Sequence, residues 1–212
     1  MKKLAFDIGA NNGDFSDTII DRFETVVCFE PIPYLIYGKL QEKSKKYTNM
    51  KVDSRAISDK NGTSTMLICP DAYALSTLEN SWASSSRFSD YHSFTEFLNV
   101  QTITLEEAIN QYGTPDYIKI DTEGHETKIL SVFNTLLDNT TICFEWTEEY
   151  KNELIETINH LYNIGYKKFY VSWQDKYLTE EQITWQNKDT FLNLDSFIPQ
   201  RKQLWGMIYF RK

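Results

Sequence analysis

Short apolar runs that alternate with segments of helical period constrain this chain more than any other feature. Leu4–Asp7 is the first run and TVVCFE (Thr25–Glu30) the second; Lys51–Ala56, Tyr117–Ile120 and TICFE (Thr141–Glu145) follow. Between them, residues of about Ser16–Glu24, Tyr34–Lys46, His125–Leu137 and Glu149–Tyr162 repeat their apolar positions every three or four places, with Leu154, Ile158 and Leu161 on one face. Strands separated by crossover helices must run parallel, so the pattern predicts an α/β, doubly wound sheet. Thr63–Cys69 after the Asn61-Gly62 turn, Lys167–Val171 and LWGMIYF (Leu204–Phe210) read as further strands, the last of them buried.

The 212 residues read as one domain, 1–212, interrupted at 70–101 by a serine-rich insertion or lid carrying Trp82, Phe88, Tyr91 and Phe94. With 31 aromatic residues the chain is far from a disordered composition. Its formal net charge of −8 argues against a phosphate-contacting nucleic-acid partner, and the basic cluster Lys43, Lys45, Lys46 reads as a solvated helix end. No apolar run has the length of a membrane span or of a signal-peptide core, so no membrane partner is expected. Cys28, Cys69 and Cys143 lie in or at the ends of apolar segments without C-x-x-C spacing, which reads as free thiols in a reducing, cytoplasmic setting. In that setting the sequons at Asn61 and Asn139 stay unused.

Ligands of such sheets bind beyond the carboxyl ends of the strands. After the first strand stands DIGANNGDFS (Asp7–Ser16), a glycine turn with Gly-x-x-x-Gly spacing rather than the Gly-x-Gly-x-x-Gly of dinucleotide binders. Glu30 follows Asp7 by 23 residues, near the offset at which an acidic residue holds ribose hydroxyls. The pair implies a nucleoside ligand, and Asp7 in the loop implies one bearing positive charge. S-adenosylmethionine, with its sulfonium and α-ammonium groups, satisfies both.

Together DIGANNGDFS, FEPIP (Phe29–Pro33), VDSRAISDKNGT (Val52–Thr63) and above all DYIKIDTEGHE (Asp116–Glu126) resemble the FkbM-type S-adenosylmethionine-dependent methyltransferases. The resemblance runs from about Leu4 to Glu145. It implies a class I methyltransferase fold, a Rossmann-like sheet of about seven strands with the last antiparallel. It also implies methyl transfer to a hydroxyl, often of a sugar or glycosylated small molecule. Carried over, Asp7, Gly9, Asn11 and Gly13 would line the methionine half of the cofactor, and Ser16 would bond its carboxylate or cap the helix. Glu30 would hold the ribose, Ile32 would pack on the adenine, and Asp53 with the Ser54–Ile57 segment, including Ala56, would reach the adenine edge. Asp121 would lie beside the sulfonium.

Methyl transfer from an activated donor asks the protein to align the acceptor and take its proton. Asp121, Glu123 and His125 are the candidate catalytic groups, with Glu126 nearby and Glu145 ending the next strand. Repulsion among carboxylates would raise one pKa and make a base, or the oxygens would take a divalent cation, Mg²⁺ or Mn²⁺. The plainer roles are helix capping for Asp121 and Glu123 and a solvated surface position for His125; Lys119 reads as an ion-pair partner. Trp82, Tyr91, Trp146 and Trp173 are candidates for stacking on a sugar, with ordinary packing the default; His92 and His160 show no arrangement around them. Two other functions fit the pattern, an NAD-dependent oxidoreductase and a non-catalytic cofactor-binding module. The acceptor's identity and the oligomeric state are not encoded in these motifs.

Overall fold

The computed structural model describes residues 2–172, 177–179, 182–187 and 205–212. In chain order the elements are β1 (Lys2–Ile8), α1 (Asp14–Ile19), β2 (Phe23–Phe29), α2 (Pro33–Leu35), α3 (Gln41–Lys46), β3 (Met50–Asp53), β4 (Ala56–Ile57) and β5 (Gly62–Ile68). Then come α4 (Asn80–Ser85), β6 (Glu96–Ile103), α5 (Leu105–Tyr112), β7 (Tyr117–Ile120), α6 (Glu126–Val132), β8 (Thr141–Thr147), α7 (Lys151–Ile164), β9 (Lys168–Ser172) and β10 (Trp205–Arg211). A seven-stranded sheet has the order β3-β2-β1-β7-β8-β10-β9, parallel except that β10 runs antiparallel to both of its neighbours. This is the expected doubly wound sheet with its last strand reversed.

Alternation along β1 sends Leu4, Phe6 and Ile8 into one core layer with Phe29, Ile118 and Phe144, under α5, α6 and α7. Ala5 faces the other layer with Val26, Cys28, Tyr117 and Cys143, under α1. Both faces of the parallel strands are therefore covered, which is why they read as near-continuous apolar runs. No helix among the described residues is long and apolar enough to cross a membrane.

Several local expectations shift. The Lys51–Ala56 run divides into β3 and β4, because the Asp53 carboxylate accepts the Arg55 N–H at 3.0 Å and turns the chain. The helix expected over Tyr34–Lys46 is broken at Gly38 (φ −92°, ψ −128°). Thr63–Cys69 does not join the main sheet: β5 pairs with β6 in a second, three-stranded sheet of order β4-β6-β5. Residues 70–101 thus hold one short helix, α4, and most of β6, whose alternation of Leu98, Val100 and Thr102 with Asn99 and Gln101 is a strand signal. Helix α5 is a further difference, and Thr104 caps it by accepting the Glu107 N–H at 3.2 Å, in a Thr-x-x-Glu pattern.

Candidate active site

The turn after β1 is built from residues that tolerate left-handed backbone: Gly9 (φ +73°), Asn11 (φ +50°) and Gly13 (φ +74°). Gly9 and Ala10 both donate their N–H to the Phe29 carbonyl, at 3.0 and 3.1 Å, which folds the turn over the end of β2. A side chain on Gly13 would press on Leu40, with Cδ1 2.8 Å from its Cβ position.

Asp7 lies beneath this turn and not on the cavity wall. Cross-strand register pairs Asp7 with Lys119, and alternation places both on the face covered by α1. There the Ser16 hydroxyl donates to Asp7 Oδ2 at 2.6 Å, and Lys119 Nζ stands 3.6 Å from Oδ1. Ser16 is itself fully buried and outside the cavity lining. Both residues brace the turn from behind the cavity lining.

Glu30 is the residue the turn presents. Its carboxylate accepts the Asn11 N–H at 2.8 Å and the Ile32 N–H at 2.9 Å, so each oxygen keeps one lone pair for a ligand hydroxyl. Burial pushes its pKa up to about 7, the two N–H bonds working against the rise and Asp7 adding to it. Ile32, Ala56, Ile57, Met66 and Leu78 make an apolar slot beside it. Asp53 is turned away: it is held by Arg55, whose NH2 lies 2.5 Å from Oδ2, and by the Tyr112 hydroxyl at 2.9 Å. Burial would raise its pKa, but those bonds outweigh it and lower it.

The second wall is the turn Asp121–Glu126. Glu123 adopts φ +55° and Gly124 φ +93°, and the Thr77 hydroxyl donates to the Glu123 carbonyl at 2.7 Å, fixing the strained turn from the 70–101 insertion. Glu126 caps this turn from inside, accepting the Thr122 hydroxyl at 3.0 Å and the Gly124 N–H at 3.0 Å, with the Thr122 N–H as a third donor. Burial, opposed by those donors and helped by Asp121, puts Glu126 at about 7. Carboxylate oxygens of Asp121, Glu123 and Glu145 lie within 4.8 Å of one another. Burial first, then mutual repulsion with Asp121 and Glu126, raises Glu123 and Glu145 well above the ordinary carboxylate range. Lys119 Nζ, 3.1 Å from Asp121 Oδ2, is the cation paired with this group.

His125 is not a solvated histidine. It is buried on the cavity wall, with Nδ1 bonded to Glu79 and Nε2 2.9 Å from the Ser58 hydroxyl. Lys128 Nζ holds the other Glu79 oxygen at 2.7 Å. Burial would raise the Glu79 carboxyl, but His125 and Lys128 hold it below the usual range. With both ring nitrogens engaged, His125 ties the insertion and the loop after β4 to the Asp121 turn. Glu79, Ser58 and Thr77 lacked any sequence signal, being 46 to 67 residues from the groups they hold.

These walls enclose a cavity of about 460 Å³, within the range of small-molecule sites (roughly 300–1,000 Å³). Of the sequence candidates, Gly9, Asn11, Glu30, Ile32, Ala56, Asp121, Glu123 and His125 line it; Asp7, Gly13, Ser16 and Asp53 stand behind it. Tyr73, stacked on exposed Tyr34 at 4.9 Å, and Trp205 also border it. Trp82 and Trp146 are buried in packing, Tyr91 is exposed away from the cavity, and Trp173 lies outside the described residues. His92 sits with Nδ1 3.0 Å from Asp71 Oδ2, and His160 Nε2 meets the Phe133 carbonyl at 2.9 Å, so neither histidine is isolated.

Residues 7–168 match the methyltransferase FkbM domain family. Among solved structures, a methyltransferase FkbM from Methylobacillus flagellatus is 14% identical with a TM-score of 0.53, covering 99% of this chain and 43% of that protein. This chain therefore spans less than half the length of that relative. A precorrin-6y C5,15-methyltransferase from Geobacter metallireducens (13% identity, TM-score 0.49) covers 100% of this chain and 82% of its own. An rRNA methylase from Streptococcus thermophilus (10% identity, TM-score 0.49) covers 100% and 87%. No curated protein matches the sequence.

Proposed function

The chain belongs to the FkbM methyltransferase family, and from that premise we propose that it is an S-adenosylmethionine-dependent O-methyltransferase acting on a hydroxyl of a sugar or glycosylated small molecule. The observation that carries the reading is the cavity's division into an apolar slot beside Glu30 and a carboxylate cluster around Asp121. Among the described lining residues Lys119 is the one lysine or arginine, and Asp121 already holds it, so a pyrophosphate would find no spare counter-charge there.

The residues fit such a donor. Glu30 accepts ribose hydroxyls with the lone pairs its two N–H bonds leave free, and the slot of Ile32, Ala56, Ile57, Met66 and Leu78 takes the base. Gly9 and Asn11 bring backbone to the cavity edge without a bulky side chain at residue 9. When bound, the donor supplies an electrophilic methyl carbon on a sulfonium. Asp121 receives the acceptor's hydroxyl proton as general base, oriented by Lys119. Glu123 and Glu145, which hold their protons more firmly than ordinary carboxyls, donate hydrogen bonds to acceptor oxygens, and Trp205 offers a ring face to a sugar. A divalent cation, Mg²⁺ or Mn²⁺ by its oxygen ligands, is the other way of balancing Asp121, Glu123 and Glu145.

Calorimetric titration with S-adenosylhomocysteine and with NAD, followed by incubation with S-adenosylmethionine and a panel of sugars and glycosides read by mass spectrometry, tests the reading. Binding of the homocysteine compound with a mass gain of one methyl on a hydroxyl supports it, and parallel reactions with a chelator decide the metal question. Binding of NAD instead, or binding with no methylated product across the panel, overturns it.

A further inference from the structure

Cys69 follows the last residue of β5, and Cys69-Pro70-Asp71-Ala72 forms a tight turn in which the Ala72 N–H donates to the Cys69 carbonyl at 3.1 Å. Proline in the second position of such a turn fixes its backbone in advance. The Cys69 N–H is further anchored by the Ser76 hydroxyl at 3.1 Å. Both side chains of the turn point the same way: Cys69 Sγ donates to Asp71 Oδ1 at 3.1 Å. His92 arrives 21 residues later, with Nδ1 3.0 Å from Asp71 Oδ2 and its ring set edge-on to Phe88 at 6.4 Å. A thiol, a carboxylate and an imidazole thus present one ligand atom each, all within 4.8 Å of one another.

We propose that Cys69, Asp71 and His92 bind one borderline-soft divalent transition-metal ion, zinc by ligand chemistry, at a site separate from the carboxylate cavity. Zinc bonds to sulfur at about 2.3 Å and to nitrogen or oxygen at about 2.0 Å, so neighbouring ligands of a tetrahedral ion stand roughly 3.3–3.7 Å apart. The contacts of 3.0 and 3.1 Å, made to the two oxygens of Asp71, are close to those spacings, and one ligand atom from each residue already lies within 4.8 Å of the others. Thiolate and imidazole together exclude magnesium and calcium, which the all-oxygen set in the cavity would favour. Three protein ligands leave the fourth position to water. Binding releases the thiol proton, moves the imidazole proton to Nε2 and leaves the carboxylate as an acceptor. The ion would fasten together the two ends of a segment whose middle, at Tyr73, Ser76 and Leu78, forms one wall of the cavity.

Titrating the metal-free chain with Co²⁺ tests this, because a cysteine ligand gives a thiolate-to-cobalt charge-transfer band that oxygen ligands cannot give. The expected result is that band at one equivalent, its loss on adding Zn²⁺, and a rise in unfolding temperature with Zn²⁺. Cys69→Ser and His92→Ala should each weaken Zn²⁺ binding at least about tenfold, while Asp121→Asn leaves it unchanged. His92→Ala removes a partly exposed ring and serves where Cys69→Ser folds poorly. Absence of the charge-transfer band, or equal Zn²⁺ affinity in the natural chain and His92→Ala, overturns the proposal.

Discussion

The backbone carbonyl oxygen of Asp121 lies 1.8 Å from the point where a Cβ on Gly9 would stand. The Asp121 N–H also donates to the Ile8 carbonyl at 3.1 Å, so the ends of β1 and β7 are clamped together where the two cavity walls meet. Gly9→Ala must move backbone on both walls and hold alanine at φ +73°. The expected loss is about 3 kcal/mol, a fall of roughly 6–12 °C in unfolding temperature, with S-adenosylhomocysteine binding abolished. Calorimetry and thermal unfolding of the variant read both effects.

Glu30→Ala leaves the fold standing, yet removes the acceptor of the ribose hydroxyls. Affinity for S-adenosylhomocysteine should fall by about 1–3 kcal/mol, about fivefold to more than a hundredfold. Because Glu30 titrates at about 7 in the free protein and binding favours its ionised form, affinity should rise as pH climbs to about 7 and level off above it. Titrations at several pH values should show that rise in the natural chain and a flat profile in the variant.

Asp121→Asn keeps the size of the side chain and loses the base. Methyl transfer should slow by about a hundredfold or more, while affinity for S-adenosylhomocysteine, which lacks the sulfonium charge, changes little. Single-turnover rates and binding isotherms measured side by side separate the two; full turnover in the variant would move the base elsewhere in the cluster.

The carboxylates of the cavity reverse the usual acid behaviour of proteins. Folded Glu123 and Glu145 keep protons that the unfolded chain releases above about pH 4.5, so the folded state binds more protons and stability falls as pH rises past that point. Glu145→Gln removes one such group. Its denaturant midpoint should match the natural chain near pH 5 and exceed it near pH 8, by about 1.4 kcal/mol for each unit of raised titration.

What the sequence made legible here is what lies local in the chain. The turn Asp7–Gly13, the acidic Glu30 at a strand end and the turn Asp121–Glu126 are short-range patterns, and all three meet at the cavity. What it hid depends on distant partners: Glu79 reaches His125 across 46 residues, and Thr77 fixes the Glu123 turn from an insertion with no periodicity. Asp7 stands behind the cavity lining for a different reason. Its position in an alternating strand puts it on the face opposite Phe6 and Ile8, in the layer that α1 covers.

That buried position makes Lys119 the residue on which two carboxylates depend. Its Nζ stands 3.1 Å from Asp121 Oδ2, 3.6 Å from Asp7 Oδ1 and 3.4 Å from the Gly9 carbonyl, so one ammonium serves β1, β7 and the turn between them. Asp7 Oδ1 is buried and has no hydrogen-bond partner among the described residues, which leaves Coulomb attraction to Lys119 as its compensation. Lys119→Met fills similar space but strands the Asp7 charge, and breaking a buried pair on one side typically loses about 3–5 kcal/mol. Asp7→Asn in the Lys119→Met background removes the stranded charge and should recover at least about 1 kcal/mol, although Asp7→Asn alone destabilises. A double-mutant cycle from denaturant unfolding measures that coupling; additive losses would mean that Lys119 acts through Asp121 alone.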